Sequence, residues 1–222
     1  REAAVRAARA APADLAGASL ADALRQWDRL GYPRRARFLH QSAVEITTRF
    51  GGEVPSDEAD LRSLPGVGDY TAAAIRAFAF GRRSIVLDTN VRRVVARTVH
   101  GVAQPLAHVT SAERARADLL WPAPDARSAR WSAAVMEFGA LVCTARTPAC
   151  ATCPVQRRCA WFAAGRPEPE APVRRQAEYV GSDRQVRGRI MAVLRAAHTD
   201  VPARAVAQAW PDDEQRERAL AG

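Results

Sequence analysis

Three features of the chain predict an all-α protein. Apolar residues recur at helical spacing almost throughout, a Pro-Gly-x-Gly turn at Pro65-Gly66-Val67-Gly68 sits between two such patterns, and no stretch shows the alternation of a half-buried strand. At 222 residues the chain can bury one good core or two modest ones. No internal repeat is visible. No apolar run approaches the length of a membrane span and no signal peptide is recognisable, so a cytoplasmic location is expected.

Taken in order, Leu20, Leu24 and Trp27 mark one helix, and Leu39, Val44 and Ile46 another. Asp57 to Leu64 read as a short helix behind the cap Ser56, with Asp57 and Glu58 in the first turn, where the helix dipole favours negative charge. Pro65 cannot continue that helix. Gly66 and Gly68 permit positive φ and carry no Cβ, so the amides around Val67 can approach a phosphate as a small anion-binding concavity. A helix from about Asp69 to Phe80, with Ile75, Phe78 and Phe80 apolar, brings the positive end of its dipole to the same place. Val91, Val94 and Val95 predict a helix after Val86-Leu87-Asp88-Thr89-Asn90, and Trp131, Val135 and Phe138 predict another.

Residues 165–177 are Pro-rich at their start and read as a linker. A tail, 178–222, follows with helices at Arg184 to Ala197 and Pro202 to Trp210 and a charged segment from Asp212, resembling the start of a winged-helix unit. The expected division is therefore a core at 1–164, a linker and a tail. Within the core, a hairpin lobe spans about 20–130, and a cysteine lobe spans about 131–164 together with 1–19.

The net charge of +9 favours a polyanionic partner, because each phosphate neutralised releases condensed counterions. All 33 basic residues are arginine, so part of that charge reflects a lysine-free usage. Cys143, Cys150, Cys153 and Cys159 are the only cysteines, separated by six, two and five residues. Four thiols so close together point to a metal site, zinc or iron–sulfur, rather than to disulfides in an intracellular protein. Arg146, Arg157 and Arg158 lie between them, as phosphate contacts or as solvated surface residues. Asp88 is a lone carboxylate that suits either chemistry or the cap of a helix beginning near Val91.

Leu64-Pro65-Gly66-Val67-Gly68, Thr71-Ala72-Ala73-Ala74-Ile75 and Leu87-Asp88-Thr89-Asn90-Val91-Arg92-Arg93-Val94 together resemble the helix-hairpin-helix DNA glycosylase superfamily. The cysteine spacing is similar to that of its iron–sulfur branch, which implies a [4Fe-4S] cluster held by Cys143, Cys150, Cys153 and Cys159. In the endonuclease III group a lysine follows the hairpin and attacks the sugar. Tyr70 stands at that position here, and a guanidinium cannot serve as the nucleophile. The resemblance therefore implies a monofunctional glycosylase.

Trp27-Asp28-Arg29-Leu30-Gly31-Tyr32 and Met136-Glu137-Phe138-Gly139-Ala140-Leu141-Val142-Cys143 resemble the adenine DNA glycosylase family, over roughly residues 12 to 180. That family removes adenine mispaired with 8-oxoguanine or guanine in double-stranded DNA. The resemblance implies that Asp88 stabilises the oxocarbenium-like sugar, Asn90 orients it and Tyr70 completes the site. It also implies a wedging role for Tyr32; Gly66, Val67, Gly68 and Arg146 are the expected DNA contacts, and a monomer in a nucleoid-associated location is expected. Two other readings are a thymine or uracil mismatch glycosylase of the same superfamily and a non-catalytic iron–sulfur DNA-binding module.

Two features of the family find no counterpart here. Its general-acid glutamate precedes a Leu-Gln-Gln-Thr segment that does not occur in the chain, and neither Glu2 nor Glu45 has the surrounding motif. Nor does the tail have the length of the domain that reads 8-oxoguanine. The expectation is a core whose longer parent protein is the enzyme.

Overall fold

A computed structural model of the chain describes residues 11–28, 30–169 and 178–221. Arg29 in the Trp27 segment, Glu2 with the rest of 1–10, and the second half of the expected linker lie outside the described residues. Among those residues every regular element is helical, and no helix is long and apolar enough to cross a membrane. The chain divides into two compact units, 1–54 with 174–222, and 55–173. This partition cuts across the expected one, because the hairpin and the four cysteines share a unit while the first helices join the tail.

In the first unit, α1 (Pro12–Ala16), α2 (Leu20–Trp27) and α3 (Pro33–Arg49) come first. Ser19 caps α2 by accepting from the Asp22 amide at 3.1 Å. Asp28, Gly31 and Tyr32 all have positive φ in the turn that follows, and Pro33, with its fixed φ, opens α3. Trp27 pins this turn, its indole Nε1 donating to the Gly31 carbonyl at 2.7 Å. After 178 come α10 (Asp183–Ala196), α11 (Ala203–Gln208) and α12 (Asp213–Ala221), close to the three tail segments expected. Val186, Ile190 and Ala219 form their core with Val206, Ala209 and Trp210 around it. Arg25 of α2 donates to the Ala197 carbonyl at 2.9 and 3.3 Å, and Arg195 donates to the Asp28 carbonyl, which ties the tail to the start of the chain.

The second unit runs through α4 (Glu58–Ser63), α5 (Asp69–Phe78), α6 (Thr89–Thr98), α7 (Ser111–Asp118) and α8 (Asp125–Leu141), then two 3₁₀ turns at Cys150–Thr152 and Gln156–Arg158, and α9 (Ala160–Ala163). Its main core gathers Leu87, Val91, Val94, Ala117, Trp121, Val135 and Cys143. Ser128, Ser132, Val135 and Gly139 recur at intervals of four and three along α8, so its buried stripe is mostly small and the helix can lie close to α6. The Trp121 indole donates to Ser132 Oγ at 2.9 Å, which satisfies a polar pair inside that core.

Candidate active site and cysteine loop

The hairpin is anchored by its apolar residues. Leu61 and Leu64 are buried on the inner side of α4, and the Val67 amide donates back to the Leu64 carbonyl at 3.1 Å to close the turn. Asp57, rather than Ser56, caps α4, its carboxylate accepting from the Ala59 and Asp60 amides. Asp accepts two amides here and lies one residue nearer the first turn, so it displaces the serine. The two glycines also differ from expectation. Gly66 has φ +74, a conformation that favours glycine, whereas Gly68 has φ −94 and ψ −177, extended backbone open to any residue. Gly66 and Gly68 are exposed, Val67 is half-buried, and α5 ends at Phe78, two residues before the expected Phe80.

Asp88 occupies the N-cap of α6, so the capping role open at the sequence level is real. Its Oδ1 accepts from the Val91 amide at 2.6 Å and its Oδ2 from Asn90 Nδ2 at 3.1 Å. The carboxylate is therefore gripped on both oxygens at the positive end of a helix, where negative charge is favoured. Asn90 is held in turn, since Arg93 Nη2 donates to its Oδ1 at 2.8 Å. Arg93 is only 4% exposed and also donates to the carbonyls of Gly139, at 2.6 Å, and Cys143, at 2.7 Å. Burial, and then the neighbouring Arg97, lower the Arg93 pKa from its ordinary value, with Cys143 and Asp88 opposing them.

A Cβ on Gly139 would come within 2.8 Å of Asn90 Cβ and 2.9 Å of the Asn90 carbonyl oxygen, so α8 meets the start of α6 at a point that has room only for glycine. Tyr70, in the first turn of α5 and 45% exposed, faces the same carboxylate electrostatically. Its phenol is pushed above its ordinary pKa first by burial and then by Asp88. Asp88 and Asn90 are thus hydrogen-bonded together, with Tyr70 within electrostatic range of the carboxylate. Tyr32 belongs to the first unit, where it is 69% exposed with φ +47.

Arg93 and Gly139 were not singled out in the sequence. An arginine three residues after Asn90 lies on the same helix face, a visible hint, but its burial depends on α8, some 46 residues away.

All four cysteines are free. Cys143 and Cys159 are buried, and Cys150 and Cys153 are half-buried beside two 3₁₀ turns. Burial raises the Cys153 thiol pKa; the Val155 amide opposes this, while Cys143, Cys150 and Cys159 each add to the rise, so all three lie within electrostatic reach of Cys153. Among the described residues no three metal-ligating side chains are gathered into a ready-made ion site. The donor set nevertheless fits an iron–sulfur cluster in its chemistry, four thiols outside any disulfide on one short loop, and buried Thr144 Oγ1 beside Cys143 has no hydrogen-bond partner among the described residues.

The loop is braced from α6 by Arg97, 3% exposed, which donates to the carbonyls of Ala103, Thr144 and Ala145, lies 3.5 Å from Cys143 Sγ and stacks 4.6 Å from the Trp161 ring centroid. Arg146, Arg157 and Arg158 are exposed on the loop.

A helix-hairpin-helix motif model matches residues 49–78. Over 211 residues the chain is 51% identical to an adenine DNA glycosylase of Mycobacterium tuberculosis, spanning 94% of this chain and 68% of that protein. Among solved structures, a thermostable thymine-DNA glycosylase superposes with a TM-score of 0.66 and 26% identity, covering 73% of this chain and 75% of that one. An endonuclease III–DNA complex superposes with a TM-score of 0.63 and 25% identity, covering 74% and 75%.

Proposed function

This chain belongs to the adenine DNA glycosylase family, and on that premise we propose that it acts as a monomer on double-stranded DNA, hydrolysing the N-glycosidic bond of adenine mispaired with 8-oxoguanine or guanine. The reading rests above all on the geometry at Asp88. A carboxylate held at both oxygens, half-buried at a helix N-terminus, is preorganised to stabilise positive charge developing on a sugar as its base departs. Asn90 keeps the carboxylate from rotating, and Arg93 keeps Asn90 in place. With Tyr70 where a lyase carries lysine, and with no lysine in the chain, the reaction stops at base release without a Schiff base.

The hairpin amides and the N-terminus of α5 supply a phosphate contact next to this site. Tyr32, exposed in its left-handed turn, suits insertion into the base stack. Arg146 suits a further phosphate, because a braced loop presents it with little ordering cost.

Cys143, Cys150, Cys153 and Cys159 would hold a [4Fe-4S] cluster, which when bound supplies a rigid cross-link of the loop. The residues of the chain itself contribute the two 3₁₀ turns and the Arg97 brace that hold the loop carrying the thiols. Iron and sulfide analysis with visible absorption of the purified protein checks this, and a Cys150→Ser protein that keeps a full iron complement would refute the ligand set.

Single-turnover release of adenine from an A:8-oxoguanine duplex tests the activity, with G:T and G:U duplexes beside it. Adenine release that disappears in Asp88→Asn supports the reading. Release of thymine or uracil instead would favour the second reading, which the likeness to a thymine-DNA glycosylase supports. Duplex binding without release of any base would leave the non-catalytic module.

A further inference from the structure

Beside the hairpin lies a charge cluster that the chemistry at Asp88 does not use. Asp69, the first residue of α5, faces two arginines from different elements. Arg62 Nη2 of α4 lies 2.9 Å from Oδ1, and Arg114 Nη2 of α7 donates to Oδ2 at 2.9 Å. The side chains of Arg62, Asp69 and Arg114 are 54%, 49% and 35% exposed. Ion pairs so open to water are screened and hold their partners weakly, so either guanidinium can exchange Asp69 for another anion. The cluster carries one positive charge in excess. Asp69 and Arg114 also border a groove of about 550 Å³, with Val109, Thr110 and Ser111 along its edge.

The position of Asp69 gives the cluster its meaning. A carboxylate in the first turn gains from the helix dipole. Here, however, it directly follows Gly68, where the reading above places a DNA phosphate, and two negative groups there repel. One arginine would neutralise Asp69; the second, delivered from α7, leaves a guanidinium pair at the same edge of the hairpin.

We propose that Arg62 and Arg114 form a second backbone-phosphate site for duplex DNA next to the hairpin, and that Asp69 occupies it in the free protein as a built-in competitor. This rests on the DNA-binding part of the proposed function and on no step of base release. When duplex binds, phosphate oxygens replace the carboxylate at the guanidinium groups, which suit such oxygens through paired N–H donors. Asp69 thereby restrains sequence-independent affinity, because every phosphate gained there is gained against a carboxylate.

Anisotropy titration of an undamaged, fully paired duplex over a series of NaCl concentrations tests this on the whole protein. Asp69→Asn is expected to bind about threefold to tenfold more tightly, with a log K against log salt slope close to that of the wild type, because the same phosphates are engaged in both. Arg62→Gln and Arg114→Gln are expected to bind more weakly, each with a slope shallower by about 0.9. Asp69→Ser provides a second variant of the carboxylate should the first fold poorly by thermal melting. The opposite signs are decisive. If Asp69 only braces the hairpin, the aspartate and arginine variants weaken binding together, and the proposal is overturned; unchanged affinity in the aspartate variants overturns it too. Binding by the wild type with no response to Asp69 removes this inference alone, whereas a wild type that binds no duplex removes the DNA-binding reading with it.

Discussion

At the scale of single residues, the two oxygens of Asp88 separate structure from chemistry. Oδ1 caps α6 and asparagine caps helices about as well as aspartate, while the amide that replaces Oδ2 can no longer accept from Asn90, so Asp88→Asn should cost no more than about 1 kcal/mol of stability. The same substitution removes the negative charge, and single-turnover base release should fall by about 10²–10³. A loss of stability well beyond that would mean that the carboxylate is chiefly structural. Gly139→Ala acts in the opposite way. Its new methyl would press on the backbone of Asn90 at 2.9 Å, so α8 or the start of α6 must shift, at a cost of about 1–3 kcal/mol by urea unfolding and with slower base release. Wild-type values for both would show that the contact relaxes freely. Asp88 and Asn90 were legible because their motif is contiguous and their hydrogen bond spans two residues. Arg93 and Gly139 were not, because an arginine resembles any other basic residue until a helix 46 residues away buries it.

At the scale of elements, order and type were legible from spacing and helix breakers: the acidic start of α4 with Pro65 beyond its end, the first two tail helices within one or two residues of their bounds, and the start of the third within one. What periodicity could not supply was backbone conformation inside the hairpin, where both glycines read alike and the structure separates them. Gly66→Ala forces a Cβ into φ +74 and should cost about 1–3 kcal/mol of thermal or denaturant stability. Gly68→Ala meets nothing within 4 Å at an ordinary φ, so stability should stay within about 0.5 kcal/mol. Its exposed methyl would nevertheless stand where a phosphate is proposed to approach, and duplex affinity should drop. Equal stability losses in the two variants would argue against this division of labour, as would unchanged DNA binding in Gly68→Ala.

For the whole molecule, the partition was the least legible feature, because it depends on which helices pair across long separations and not on any local signal. The unit at 55–173 contains the hairpin, Asp88 and all four cysteines, so a disturbance of one reaches the others through α6 and α8. Composition adds a global property, since a lysine-free chain has no ammonium groups to titrate near pH 10 and its arginine charge persists beyond that. Tyr70 can then be isolated. Burial, followed by Asp88, raises its pKa, so the unfolded chain releases this proton near pH 10 while the folded protein retains it to higher pH. The associated stability is fully present below about pH 10 and is lost as pH rises through the folded pKa, because over that interval only the unfolded state gains from ionising. Tyr70→Phe abolishes the ionisation in both states. Its denaturant midpoint should therefore fall less steeply than that of the wild type above pH 10, while the difference between the two proteins stays constant from pH 7 to 9. A constant difference across the whole range would place Tyr70 in water, outside the reach of Asp88.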